Sequence, residues 1–154
     1  MFEIVPAHGP DRVVEIRTLF QEYWTSFGFT PCFQNFSAEL EGLPGDYAPP
    51  EGRLLLALWN GEPAGCAALR RFDVERCEAK RLFVRQAFRG HGIGRALLDR
   101  VLAEARAAEY REILGDTMPV MTQALDMYDR YGFERTGPYS DQPTQGAIFL
   151  RLKL

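Results

Sequence analysis

Residues 78–98, EAKRLFVRQAFRGHGIGRALL, run from a β-prone apolar strand through a turn holding Gly90, Gly92 and Gly94 straight into an amphipathic helix. With the strand EILGDT that follows the helix, this stretch makes a strand–helix–strand crossover, which should be right-handed. The glycines remove side chains where the backbone must turn and where a ligand can approach closely. The first helical turn carries N–H groups without intrahelical partners and the positive end of the helix dipole. A diphosphate placed there finds hydrogen bonds and charge together. Arg85, Arg89 and Arg95 surround that spot and complete an anion cradle.

A chain of 154 residues suits one domain, 1–154, with an adequate core. At 46% hydrophobic and 25% charged it has the composition of a soluble globule, and no run of 18 apolar residues suggests a membrane span. Glu3 and Pro6 sit where a signal peptide needs basic and then uninterrupted apolar residues, so a cytoplasmic protein is expected. The net charge is −3 and the pI about 5.5, yet residues 80–100 hold six basic residues against Asp99 alone. That concentration suits a compact polyanionic cofactor and not nucleic acid, whose binders spread a basic face over a domain of high pI. Cys32, Cys66 and Cys77 lack C-x-x-C spacing and read as reduced thiols, and no metal site is expected.

Periodicity places a strand at 2–5, then a helix capped by Asp11 that shows Val13, Ile16, Phe20, Tyr23 and Phe27 on one face and ends at Gly28. Ser37 caps a short helix through Leu43, and PGDYAPPEG forms a loop. Asn60-Gly61 between RLLLALW and PAGCAALRRF predicts a tight antiparallel hairpin, followed by the strand CEAKRLFV. The helix after Gly92 buries Ile93, Leu97, Val101 and Ala105, and EILGDT returns as a parallel strand. Pro119 opens a further helix running to Gly132, and FERTGPY and GAIFLRLKL close the chain as two strands.

These residues resemble the GNAT superfamily of N-acetyltransferases. The family's cofactor motif of Arg or Gln, two residues, Gly, one residue and Gly or Ala stands here as Arg89, Gly92 and Gly94. ALDMYDRYGFE at 124–134 looks like the family's A-x-x-x-Y-x-x-x-G-F signature, and the similarity covers essentially the whole domain. A dinucleotide fingerprint fits worse, since Arg95 stands where its third glycine belongs, and no Gly-Lys-Ser/Thr phosphate loop exists. The resemblance implies an α/β fold: a mixed, mostly antiparallel sheet of about seven strands, a parallel pair at the cofactor cleft, and about four flanking helices. It implies acetyl-CoA as co-substrate, held by Phe83, Val84, Arg89, Gly90, His91, Gly92, Ile93, Gly94 and Arg95. His91 is read as an exposed loop residue near the phosphates and not as a catalytic one. Thr122 and Gln123 replace a helix-opening Asn that often contacts the cofactor arm.

The reaction implied is direct attack of an amine on the thioester with both substrates bound. An alkyl amine is neutral only about once in 2,500 at pH 7, so a base is useful. Glu78, six residues before Val84 and on the same alternating face, is the expected base, acting through water. A backbone N–H near Val84 is the expected oxyanion donor. Tyr128 stands at the family's general-acid position. Trp24, Phe29, Phe33, Phe36, Tyr47 and the segment PYSDQPTQG are expected walls for an acceptor, a small-molecule or peptide amine. The competing reading is a non-catalytic acyl-CoA binding or sensor module, and a homodimer is compatible with either.

Overall fold

The computed structural model of the chain describes residues 1–26, 36–119, 121–139 and 146–154. Among them the elements run β1 (Phe2–Pro6), α1 (Pro10–Ser26), α2 (Phe36–Glu41), β2 (Arg53–Trp59), β3 (Glu62–Arg71), β4 (Arg76–Val84), α3 (Ile93–Ala107), β5 (Glu112–Thr117), α4 (Thr122–Arg130), β6 (Glu134–Thr136) and β7 (Ile148–Lys153). Single 3₁₀ turns lie at Gly45–Tyr47 and Gln86–Phe88. One sheet has the strand order β1-β2-β3-β4-β5-β7-β6, antiparallel throughout except for β4 and β5. This is the mixed sheet with four helices that the resemblance implied.

Both faces of the sheet are covered, which is why β2 reads as an unbroken apolar run. Leu55 and Ala57 join Leu97, Val101 and Ala105 beneath α3, while Leu54, Leu56 and Leu58 pack with Ile16, Leu19 and Phe20 of α1. The α3 stripe Ile93, Leu97, Val101 and Ala105 is fully buried, as its spacing predicts. Asn60 and Gly61 both adopt positive φ, 48° and 86°, the conformation of the tight hairpin expected there.

Several boundaries move. Helix α1 starts at Pro10, with Gly9 O accepting from the N–H groups of Arg12 and Val13, so Asp11 lies in the first turn and faces the dipole instead of capping it. Ser37 likewise sits inside α2, which ends at Glu41 and not at Leu43. Pro119 lies within a turn closed by Met121 N–H on Met118 O, and α4 opens only at Thr122. Gly132, at φ 88°, ends α4 as expected, with Phe133 N–H bonding Tyr128 O. The β6 strand is three residues long, much shorter than FERTGPY. Phe27, Gly28, Phe29, Cys32 and Phe33, and residues 140–145 of PYSDQPTQG, lie outside the described residues.

Candidate active site

Parallel pairing of β4 with β5 stops at Ala79–Gly115, although β4 continues to Val84 and β5 to Thr117. The two strands part, and beyond Ala79 the edge of β4 has no strand beside it among the described residues. A cleft of about 570 Å3 fills the gap, lined by Leu82, Phe83 and Val84 of β4, Phe88, Arg89, Gly90 and Gly92 of the following loop, Ile93 and Gly94 of α3, and Met121, Thr122, Gln123, Ala124 and Met127 around α4. Gly65 of β3 permits the neighbouring backbone to pass closely, since a Cβ there would lie 2.6 Å from Phe83 O.

Of the residues expected around the cofactor, Phe83, Val84, Arg89, Gly90, Gly92, Ile93 and Gly94 line this cleft, whereas His91 and Arg95 do not. His91 is exposed and lies against the Trp59 ring, centroids 4.5 Å apart. Arg95 is exposed on the first turn of α3. Gly90 and Gly92 have φ of 87° and 81°, and a Cβ at either would meet nothing within 4 Å. Left-handed backbone accounts for the glycines, and open space in front of them leaves the main chain accessible. No acidic residue stands in the first turn of α3. Arg89 bonds Val84 O at 3.0 Å through Nε. Arg85 departs from its expected place in the cradle: its guanidinium grips Glu22 of α1, at 2.9 Å and 2.6 Å, and Pro63 O at 3.1 Å.

Tyr128 projects from α4 into a smaller hollow of about 30 Å3 that adjoins the cleft, sharing Tyr23, Leu82, Met121 and Ala124 with it. Its half-buried ring meets Phe133 edge-on at 5.1 Å. Burial, with smaller contributions from Tyr23 and Asp116, raises its hydroxyl well above the ordinary tyrosine value, so it stays protonated.

Glu78 is placed differently from expectation. Arg81 takes φ 59°, and the β3–β4 register slips between Cys66–Phe83 and Ala68–Lys80. This bulge reverses the side-chain alternation. Ala79, Leu82 and Val84 pack toward α3, while Lys80, Arg81 and Phe83 meet groups on the α1 side. Glu78 and Val84 therefore face opposite sides of the sheet. Glu78 is 5% exposed, bonded to Arg70 Nε at 2.8 Å and 3.5 Å from Lys80 Nζ. Burial alone would raise its carboxyl, but Lys80 and Arg70 together overcome that and hold it below the usual range.

Sequence reasoning missed Asp116 and Lys80. Lys80 Nζ lies 3.4 Å from Asp116 Oδ1, and both line the small hollow with Thr117, Tyr23 and Tyr128. Nothing in EILGDT marks its Asp until the divergence of β4 from β5 is known. The expected acceptor walls are also revised. Trp24 and Phe36 are buried and stacked 3.7 Å apart in the core between α1 and α2, and buried Tyr47 borders a separate hollow against Arg70. Cys66 and Cys77 are buried free thiols, and burial pushes Cys77 up to about 12. No helix among the described residues is long and apolar enough to cross a membrane.

The model of the acetyltransferase (GNAT) family matches residues 13–133. An uncharacterized N-acetyltransferase of Schizosaccharomyces pombe is 32% identical over 147 residues, spanning 94% of this chain and 90% of the relative. A GNAT-family acetyltransferase from Staphylococcus aureus superposes with a TM-score of 0.84 at 20% identity, covering 99% of both chains. One from Elizabethkingia anophelis with acetyl-CoA bound gives 0.70 at 24% identity, covering 99% of this chain and 98% of that one. At these identities the structural likeness is one of fold.

Proposed function

The chain belongs to the GNAT acetyltransferase family, and from that premise we propose that it moves an acetyl group from acetyl-CoA to a primary amine of a small molecule or peptide, the amine attacking directly with both substrates bound. The observation that carries this reading is the cleft between β4 and α4, closed at one end by glycines at the start of α3. Acetyl-CoA, when bound, supplies an activated acyl thioester and a diphosphate handle.

The residues present fit that group. Main-chain N–H groups at the start of α3 have no helical acceptor and meet the diphosphate without a side chain in the way at Gly90 or Gly92. Arg89 adds charge at the rim, and Phe83, Val84, Ile93 and Gly94 bound the arm of the coenzyme. The unpaired edge of β4 near Val84 offers a backbone donor where charge develops on the thioester oxygen. Tyr128 keeps its proton at neutral pH and donates from its hydroxyl to the departing sulfur. Glu78, clamped by two cations, orders the sheet and leaves the amine's proton to another group. Buried free thiols fit a cytoplasmic location.

Two measurements test the reading. Calorimetry should show acetyl-CoA binding to the folded chain, and free thiol should be released when amines are added. Failure to bind acetyl-CoA removes the proposal, and binding without release for any amine favours a sensor module.

A further inference from the structure

The geometry points to Asp116 as the group that receives the acceptor amine's proton, through a single water seated in the hollow between β4, β5 and α4; this inference rests on the acetyl-transfer reading above. The hollow has a volume of about 30 Å3. That is about the space one water occupies in the liquid, and a buried water needs two to four polar partners. Lys80, Asp116, Thr117, Tyr23 and Tyr128 all line the space. It adjoins the coenzyme cleft through Leu82, Met121 and Ala124, which border both. A water held there stands between the coenzyme cleft and Asp116 at the end of β5.

Two carboxylates compete for the role, and their surroundings separate them. Glu78 is 5% exposed and held by both Arg70 and Lys80. The Asp116 side chain is 29% exposed, and Lys80, at 3.4 Å, is the one cation within ion-pair distance of it among the described residues. Asp116 thus has an oxygen that solvent can reach, while Lys80 fixes its carboxylate in place. The groups facing it are Lys80, Glu78 and Arg81 from β4, Tyr128 from α4, Tyr23 from α1, and Tyr139 after β6.

The proton count closes. As the nitrogen–carbon bond forms and the carbon–sulfur bond breaks, the amine nitrogen passes a proton to the water, and the water passes one to Asp116 Oδ. The departing sulfur accepts a hydrogen bond from the Tyr128 hydroxyl, leaves as the thiolate and takes its proton from solvent, to which Asp116 returns the one it received.

The test is thiol release from acetyl-CoA with benzylamine, spermidine and phenylalaninamide, using wild type, Asp116→Asn, Asp116→Glu and Glu78→Gln. Asp116→Asn should lose about 10²- to 10⁴-fold in kcat, the usual contribution of a positioned base. Its KM for acetyl-CoA should stay within about twofold, and the enzyme-derived acidic limb of kcat/KM should vanish. Asp116→Glu should recover part of the rate, and Glu78→Gln should keep the limb. High-resolution electron density of the wild-type complex with CoA should contain a water hydrogen-bonded to Asp116. An Asp116→Asn loss below about tenfold, or a retained limb, overturns the assignment while leaving acetyl transfer intact. A dry hollow overturns it as well, even where Asp116→Asn does not fold. Wild type that binds acetyl-CoA but releases no thiol with any amine overturns both readings.

Discussion

Arg81 of β4 and Glu39 of α2 meet at two points, Nε to Oε2 at 3.1 Å and Nη2 to Oε1 at 3.0 Å, across the layer that separates the sheet from the N-terminal helices. The guanidinium lies 5.2 Å from the ring centres of both Trp24 and Phe36, and the Tyr47 hydroxyl donates to Glu39 at 3.0 Å. The pair anchors α2 to the one residue of β4 with left-handed backbone, and so holds the bulge that turns Leu82 and Val84 toward the cleft. Removing one partner leaves the other charge buried without compensation. Glu39→Ala should lower stability by about 3–5 kcal/mol, and replacing both residues with Met should recover most of it. Urea unfolding of Glu39→Ala, Glu39→Met, Arg81→Met and the double Met variant checks this, since an additive double variant would mean that the pair is not coupled.

That bulge also explains where the sequence misleads. Period-two alternation from Val84 back to Glu78 puts both on one face, and no glycine or asparagine near Arg81 announces the slip. Its partner is 42 residues away in α2, so the cause is tertiary. The Asn60-Gly61 hairpin and the Gly90–Gly94 turn were legible because their backbone requirement is local and written in residue types. Arg85 was misread for the opposite reason: a cation beside a glycine loop looks like a phosphate ligand until a helix 63 residues earlier brings Glu22 to it. Tyr128 was singled out by the resemblance of ALDMYDRYGFE to the family signature, and its helix ends at Gly132 as expected, whereas the nearness of Asp116 to the same hollow is visible only once β4 and β5 diverge.

Glu78 should make the fold sensitive to acid. Its folded carboxyl is held below the unfolded value of about 4.3, so its contribution is fully present above that pH and disappears as pH falls through the lowered folded value. Glu78→Gln leaves Lys80 and Arg70 without their common carboxylate and should cost about 3–5 kcal/mol near neutrality. The gap between wild type and variant should narrow as pH is lowered below about 4. Unfolding curves from pH 7 to pH 3 measure it, and a gap that does not change with pH would refute the ionised, paired state.

Arg85 and Arg89 are four residues apart and should respond to different assays. Arg89 is exposed at the rim of the cleft, so Arg89→Ala should weaken acetyl-CoA binding by about tenfold, or about 1.4 kcal/mol, and by less at high salt. Arg85 holds Glu22 with both side chains partly exposed, which limits the pair to about 0.5–1 kcal/mol. Arg85→Ala should leave the calorimetric affinity for acetyl-CoA unchanged and lower the unfolding midpoint slightly. The reverse pattern would return Arg85 to the cradle and remove Arg89 from it.

Tyr128→Phe isolates the hydroxyl, because the ring and its edge-on contact with Phe133 remain. A phenol held above its ordinary value of about 10 is a weaker acid than a thiol of about 8.5, so complete transfer to a free thiolate is uphill. The transition state benefits mainly from the hydrogen bond to the sulfur as its charge grows. The loss in kcat should therefore sit near the lower end of general-acid effects, about 10²-fold, with acetyl-CoA affinity and the unfolding midpoint nearly unchanged. Since burial keeps the hydroxyl protonated, no alkaline limb from Tyr128 should appear below about pH 10. Steady-state kinetics of both proteins from pH 6 to pH 10 decide the matter: wild-type turnover in the variant removes Tyr128 from the chemistry, and an alkaline limb near pH 8 that vanishes with it would show a hydroxyl far more acidic than its burial allows.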